Sequence, residues 1–281
     1  MMPTDGWLPT RRTALRGLLA TGAGLLVGRV GYGVAYERHQ IRLEQSDLNV
    51  VGLPQALDGL RIGLITDVHV SPTVPDQDVR AAVRLLSEAR PDLVALGGDY
   101  VTDFDTTRAV PAAEMLAPLA SAPLGALAVL GNHDDDRVVP AALVAQGFTV
   151  LRDARTRLTI RGEPVDVAGV QYWTRRVGEI AKVLQGAGPT TFLLAHDPRR
   201  LREAASLDVQ LVLAGHTHGG QVVLPGLGAI AARRFPVVAG PATEGNCTLF
   251  VSRGVGTVVA PVRINCPPEV SVLTLRSSSP I

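Results

Sequence analysis

Five apolar runs of strand length punctuate the chain: Ile62–Thr66, Leu93–Leu96, Ala126–Leu130, Phe192–Ala195 and Leu211–Ala214. Each ends in a polar or glycine-containing turn. Between them the apolar positions change period. Asp76–Arg90 places Val79, Val83 and Leu86 on one face and stops at Pro91. Thr107–Ala120 and Pro140–Gln146 read the same way, although Pro111 and Pro118 interrupt the first. Strands alternating with helices predict an α/β domain with much parallel sheet. Arg157–Ile160 and Pro164–Val170, joined at Arg161-Gly162, predict a hairpin, so the sheet is expected to be mixed, and Cys247–Ser252 and Val270–Leu275 supply late strands. Residues 41–276 read as one domain, followed by a polar tail, 277–281.

The first forty residues have a different pattern. Thr10-Arg11-Arg12-Thr13-Ala14-Leu15-Arg16 precedes a glycine-rich apolar run, Gly17 to Gly28, in the order of an export signal or membrane anchor. The run is short for a span, and Arg29 interrupts it. The arginine pair resembles a twin-arginine leader, with Ala14 where that pattern carries a larger apolar residue. Gly33-Val34-Ala35 offers small residues at a cleavage position, and an uncleaved anchor fits equally well.

Composition narrows the picture. The 281 residues are 46% hydrophobic and carry a net charge of +1, a globular balance that argues against a polyanion or nucleic-acid binder. The first 35 residues hold four arginines and one aspartate, so the rest of the chain is weakly acidic. Two cysteines, Cys247 and Cys266, exclude a disulfide framework and a four-cysteine zinc site.

The turns after the five strands carry the chemistry: Asp67-Val68-His69, Gly98-Asp99, Gly131-Asn132-His133-Asp134, His196-Asp197 and Gly215-His216-Thr217-His218. Five of the six histidines lie there. In an α/β sheet the turns beyond the strand C-termini converge on one crevice. Any one of these residues alone would read as a turn or capping residue; five such turns together predict a site. Carboxylates, imidazoles and an amide oxygen without thiolate suit Mn, Fe or Zn. Seven candidate ligands, Asp67, His69, Asp99, Asn132, His196, His216 and His218, exceed the need of one ion and point to a dinuclear centre.

In order and spacing these motifs resemble the calcineurin-like metallophosphoesterase superfamily. The late segments Gly219-Gly220-Gln221-Val222, 251–257 and Asn265-Cys266-Pro267-Pro268-Glu269 resemble its exported or membrane-attached bacterial branch. The resemblance implies a four-layer α/β/β/α sandwich of two mixed β-sheets, with the dinuclear site at the strand C-terminal ends. One divalent ion would be held by Asp67, His69, Asp99 and His218, and the other by Asp99, Asn132, His196 and His216. A hydroxide between the ions would attack phosphorus, with His133 as the catalytic residue at the leaving oxygen. Asp103 is expected to be structural, and Asp134 either orients His133 or is a solvated loop carboxylate. The activity implied is hydrolysis of a phosphodiester or a sugar-diphosphate or lipid-linked pyrophosphate on the extracytoplasmic face of the cytoplasmic membrane, after passage through the twin-arginine export machinery. A phosphomonoesterase or nucleotidase is the alternative enzyme reading, and a non-catalytic envelope metal-binding or partner-binding module the alternative of another class. Tyr172-Trp173 is expected at the site rim or covering a loop. Arg233, Arg234, Arg253 and Arg263 are candidates for a second phosphate or are solvated, and Cys247 and Cys266 are candidates for a disulfide.

Overall fold

In the computed structural model, which describes residues 10–279, the chain begins with helix α1 (Arg11–Ala35). It then runs through β1 (Arg42–Val51), β2 (Arg61–Ile65), α2 (Asp76–Glu88), β3 (Leu93–Leu96), α3 (Ala109–Leu116), β4 (Ala126–Ala128), α4 (Val138–Ala145) and β5 (Thr149–Val150). The second half comprises β6 (Ala154–Ile160), β7 (Glu163–Val170), α5 (Val177–Val183), β8 (Thr191–Ala195), α6 (Leu201–Ala205), β9 (Leu211–Ala214), β10 (Val223–Leu224), β11 (Gly228–Ala229), β12 (Gly240–Glu244), β13 (Cys247–Val251) and β14 (Glu269–Ser278). Two six-stranded sheets form, ordered β1-β14-β2-β3-β4-β5 and β12-β13-β9-β8-β7-β6. Both are mixed: β14 is antiparallel to β2, and the β6–β7 and β12–β13 pairs are antiparallel.

The period of two along each strand sorts the apolar side chains into layers. Ile62, Leu64, Leu93 and Ala95 of the first sheet meet Val165, Val167, Phe192, Leu194, Leu211 and Leu213 of the second in a central core. The alternate residues Ile65, Val94 and Leu96 face outward, where α2, α3 and α4 cover them through Val79, Val83, Leu86, Leu116 and Leu143. On the far side α5 and α6 cover Leu193, Ala195, Val212 and Leu249 with Ile180, Leu201 and Ala204. The architecture is therefore the expected four-layer α/β/β/α sandwich.

Three boundaries differ from the sequence reading. The pattern Thr107–Ala120 resolves into α3 flanked by 3-10 turns, with Pro118 at the start of the second turn, because proline lacks the N–H that a continuing α-helix needs. The supposed polar tail is partly strand: β14 runs to Ser278, and Ser277 donates its N–H to Asp58 Oδ1 at 2.8 Å. Strand β1 was not foreseen. It pairs parallel with β14 at the sheet edge and buries only Leu48 and Val50, so its sequence carries little apolar alternation.

Helix α1 is 25 residues long, about 38 Å at 1.5 Å per residue. With its extension to His39 it is long and apolar enough to cross a membrane, and it leaves Leu15, Leu18, Leu19, Leu25, Leu26 and Val27 exposed. Its foot is bonded to the domain. The Gly33 carbonyl accepts the Arg263 N–H at 3.3 Å, and Arg29 donates to Asn265 Oδ1 at 2.6 Å and to Glu37 at 2.8 Å. Buried Glu37 accepts the Cys266 N–H at 2.8 Å, and His39 Nδ1 lies 2.6 Å from Asp78.

Candidate metal centre

Each of the five parallel strands β2, β3, β4, β8 and β9 delivers its polar residues beyond its C-terminal end, as α/β sheets do. The backbone there is unusual. Asp67, His69, Asp99, His216 and His218 all have positive φ, between 50° and 71°, a region costly for side-chain-bearing residues and concentrated at functional sites. Tight turns aim these five side chains at one point instead of alternating them across a sheet. Gly131 leaves room for the result: a β-carbon there would overlap the Asp99 carboxylate.

The side chains converge closely. Asp67, His69, Asp99 and His218 each offer an atom within 4.8 Å of the others, as do Asp99, His196 and His216, and Asp99 belongs to both groups. Asp99 Oδ2 lies 3.4 Å from His69 Nε2 and 3.1 Å from His196 Nε2. His218 Nε2 is 3.2 Å from His69 Nε2 and 3.4 Å from Asp67 Oδ1. His216 Nδ1 is 3.1 Å from His196 Nε2. Two ligand nitrogens on one tetrahedral ion, each about 2.05 Å from it, are separated by about 3.3 Å, so these spacings fit shared ions. Asn132 Oδ1 is buried without a hydrogen-bond partner among the described residues, which suits a donor oxygen. His196 Nδ1 meets the Gly97 carbonyl at 2.7 Å and must donate to it, which turns Nε2 inward.

The electrostatics agree with a cation-binding cluster. Burial alone would raise the Asp99 carboxyl, but the His196 and His69 imidazoles hold it well below the usual carboxylate range. Burial disfavours charge on His196, yet Asp99 and Asp67 push it up to about 10. Burial, reinforced by His196, pushes His216 down to about 3.

His133 stands apart from this set. Its ring sits edge-on to His69, with centroids 5.0 Å apart, and its backbone N–H donates to Asp99 Oδ1 at 2.8 Å. The Asp103 N–H points at His133 Nδ1 at 3.2 Å. Asp103, expected to be structural, has an exposed carboxylate with Oδ1 3.3 Å from the same Nδ1. Asp134 also departs from expectation: it is neither solvated nor beside the His133 ring. It is buried, and at 2.8 Å it accepts the N–H groups of Asp99, Tyr100 and Gly131, locking two site turns together. Burial and the Asp99 charge push its carboxyl up to about 6 despite these donors.

Comparison with known proteins adds to this geometry. Residues 60–220 match the family described as calcineurin-like phosphoesterase. The chain belongs to that family. It is 30% identical to the metallophosphoesterase YkuE of Bacillus subtilis over 96% of this chain and 99% of that one. It is 32% identical to the phosphodiesterase YaeI of Escherichia coli over 76% of this chain and 82% of that one. It is 30% identical to a transmembrane protein with metallophosphoesterase domain of Danio rerio, over 88% of this chain and 60% of that one. The protein is accordingly a phosphate-ester hydrolase of a family that binds two divalent metals.

The surroundings of the centre correct three further expectations. Arg263 is fully buried, and its guanidinium donates to the carbonyls of His218, Arg253, Gly254, Gly256 and Cys266. It thus clamps the turns behind Asp67 and His218. Arg253 is held by Glu269 and Glu44, so neither arginine is a solvated or phosphate-greeting cation. Cys247 and Cys266 are both free. Cys247 packs in the outer core of the second sheet, whereas the Cys266 thiol donates to the His218 and Gly219 carbonyls, so the expected bridge does not form. Tyr172 does line the centre, its ring 5.1 Å from His216 and 5.9 Å from His196. Phe235, unforeseen from sequence because it sits in no motif, meets His216 edge-on at 5.2 Å.

Proposed function

We propose that the chain hydrolyses a phosphodiester or a sugar-diphosphate or lipid-linked pyrophosphate. Asp67, His69, Asp99 and His218 would hold one divalent ion and Asp99, Asn132, His196 and His216 the other, with Mn, Fe or Zn suiting these donors. When bound, such a pair supplies Lewis-acid stabilisation of phosphoryl oxygens and an activated water. The observation that carries the assignment is Asp99 Oδ2, which lies between His69 and His196 at the meeting point of the two groups. His133 acts from outside the ligand set: Asp103 packs on its Nδ1 side, leaving Nε2 to face the leaving oxygen and stabilise its developing charge by a hydrogen bond. Tyr172 and Phe235 flank His216 and exclude water from that side.

Residues 41–276, with the end of β14 to Ser278, form the catalytic domain in this reading, and residues 1–40 its export signal and retained anchor. The bonded foot of α1 and its exposed apolar face support retention in the membrane, and the leader-like order of the first residues supports a catalytic domain on the extracytoplasmic side. The pair Arg11-Arg12 supports twin-arginine export, the route that carries folded, metal-loaded chains. Replacing both by lysine is expected to block export, and unchanged export would exclude that route.

Full-length protein in detergent, supplied with Mn or Zn, is expected to hydrolyse bis-p-nitrophenyl phosphate, and Asp99→Ala to abolish turnover. Absence of turnover with Mn, Zn, Fe and Co in protein holding two ions would leave only a binding role.

A further inference from the structure

We infer that the turn formed by residues 258–262 is a second contact with the lipid bilayer, seated in its headgroup layer beside the foot of α1. This inference rests on the proposed retention of α1 in the membrane and goes beyond it, because it gives the catalytic domain a lipid-facing surface of its own.

The turn is apolar throughout. Val258-Val259-Ala260-Pro261-Val262 has no charged or hydrogen-bonding side chain, and no acidic residue occurs from Gly254 to Pro268. Val259 is fully exposed and has φ of +66°, a region costly for a β-branched residue. The domain therefore holds an apolar side chain outward, at a cost to its backbone, where none of the described residues covers it.

The backbone of the turn is closed on itself. The Ala260 N–H donates to the Val258 carbonyl at 2.7 Å and the Val262 N–H to the Ala260 carbonyl at 2.8 Å. Gln221 Oε1 accepts the Val258 N–H at 2.6 Å, and Gln221 Nε2 donates to the Ala260 carbonyl at 3.3 Å. Pro261 has no N–H, so three of the turn's four backbone donors are satisfied without water. Exposed apolar side chains over such a backbone suit the boundary between headgroups and acyl chains, where unmet polar groups are costly.

Position along α1 names the occupant. A β-carbon at Gly33 would stand 2.5 Å from the Arg263 carbonyl oxygen and 3.1 Å from Val262 Cγ2, so the helix meets the turn at Gly33. Gly33 lies five residues beyond Gly28, where the apolar run ends, which is about 7.5 Å along the helix axis. The headgroup layer on each face of a bilayer is about 5–7.5 Å deep. Tyr32 and Tyr36, both exposed, mark the same level, and the Arg29 guanidinium carbon lies 5.0 Å from the Tyr32 ring centroid. Aromatic rings of this kind collect at membrane–water interfaces. With α1 spanning the hydrocarbon core, the turn thus meets the helix at headgroup depth.

The test places one nitroxide label at a time on full-length protein reconstituted in vesicles of phosphatidylethanolamine and phosphatidylglycerol. The labelled variants are Val259→Cys, Leu19→Cys in α1, and Val144→Cys on α4, which packs beside β5 at the opposite edge of the first sheet from β1. Cys247 and Cys266 are buried, and wild type carried through the same labelling gives the background. Collisions with oxygen, which concentrates in lipid, and with a water-soluble nickel chelate are read from saturation of the nitroxide spectrum. The label at position 259 is expected to lose most of the nickel collisions seen at position 144 and to gain oxygen collisions towards the level at position 19. Equal nickel access at 259 and 144, with position 19 shielded, overturns the lipid contact alone. Nickel access at position 19 defeats the anchorage reading itself. Shielding at 259 accompanied by dipolar broadening between labels assigns the patch to a second copy of the chain and overturns the lipid contact as well.

Discussion

Gly254 lies so close to Asp67 that a β-carbon at the glycine would stand 2.5 Å from the Asp67 Cβ, and Gly254 itself has φ of +68°. The 254 turn thus forms the back wall of a candidate metal ligand. Gly254→Ala is expected to push the Asp67 carboxylate out of place, lowering bound metal as read by elemental analysis and destabilising the fold by at least about 1 kcal/mol. Full metal content in the variant would show that the wall yields without moving the ligand.

His133 separates turnover from metal binding. His133→Ala should retain both ions but lose activity on bis-p-nitrophenyl phosphate by about a hundredfold to ten-thousandfold. Asp103→Ala leaves the Asp103 N–H on Nδ1 in place and is expected to cost much less. Equal losses in the two variants would mean that the carboxylate, not the N–H, sets the ring.

Asp134→Asn tests the lock beneath the centre. The amide offers one acceptor oxygen and an NH2 group where the carboxylate accepts N–H groups from Asp99, Tyr100 and Gly131. A buried donor would then face other donors, at a cost of about 3 kcal/mol. Thermal denaturation reads the loss. A variant as stable as wild type would show that these turns are held by their glycines and not by the carboxylate.

Acid stability should depend on Asp166, far from the chemistry. Its buried carboxylate meets Arg155, Arg157 and the Gly188 N–H. Burial opposes its charge, but these partners hold its pKa below the usual carboxylate value. A depressed folded-state pKa means that the stabilisation is complete above the unfolded-state value, about 3.9, and is lost as pH falls through the folded-state value. Asp166→Asn is expected to lower stability near pH 7 by about 1 kcal/mol and to flatten its decline below pH 4. Denaturant titrations at pH 7 and pH 3 measure both, and parallel losses at the two values would refute the assignment.

How much of this was legible in the sequence follows from what burial and local pattern encode. The central strands announce themselves because both faces are buried, and the candidate ligands because Asp and His in glycine-flanked turns are conspicuous. Strand β1 is an edge strand with mostly polar positions, so its residues look like loop. Asp134 and Arg263 were misread for one physical reason: sequence shows a charge but not the backbone groups that neutralise it, and those come from residues up to 45 positions away. Phe235 matters through its packing on His216, far from it in the chain, which leaves no periodic trace.

The foot of α1 carries one more consequence. Arg263 receives the helix through the Gly33 carbonyl and, with the same residue's guanidinium, holds the His218 carbonyl. In the proposed reading, with α1 seated in a bilayer, these bonds would take the place of a flexible tether between anchor and centre and would restrict the height and facing of the centre above the lipid surface. In the proposed reading, such an enzyme would meet a lipid-linked ester by diffusion in two dimensions with its orientation already set, and membrane-borne substrate would have a high effective concentration that a soluble ester must match in bulk.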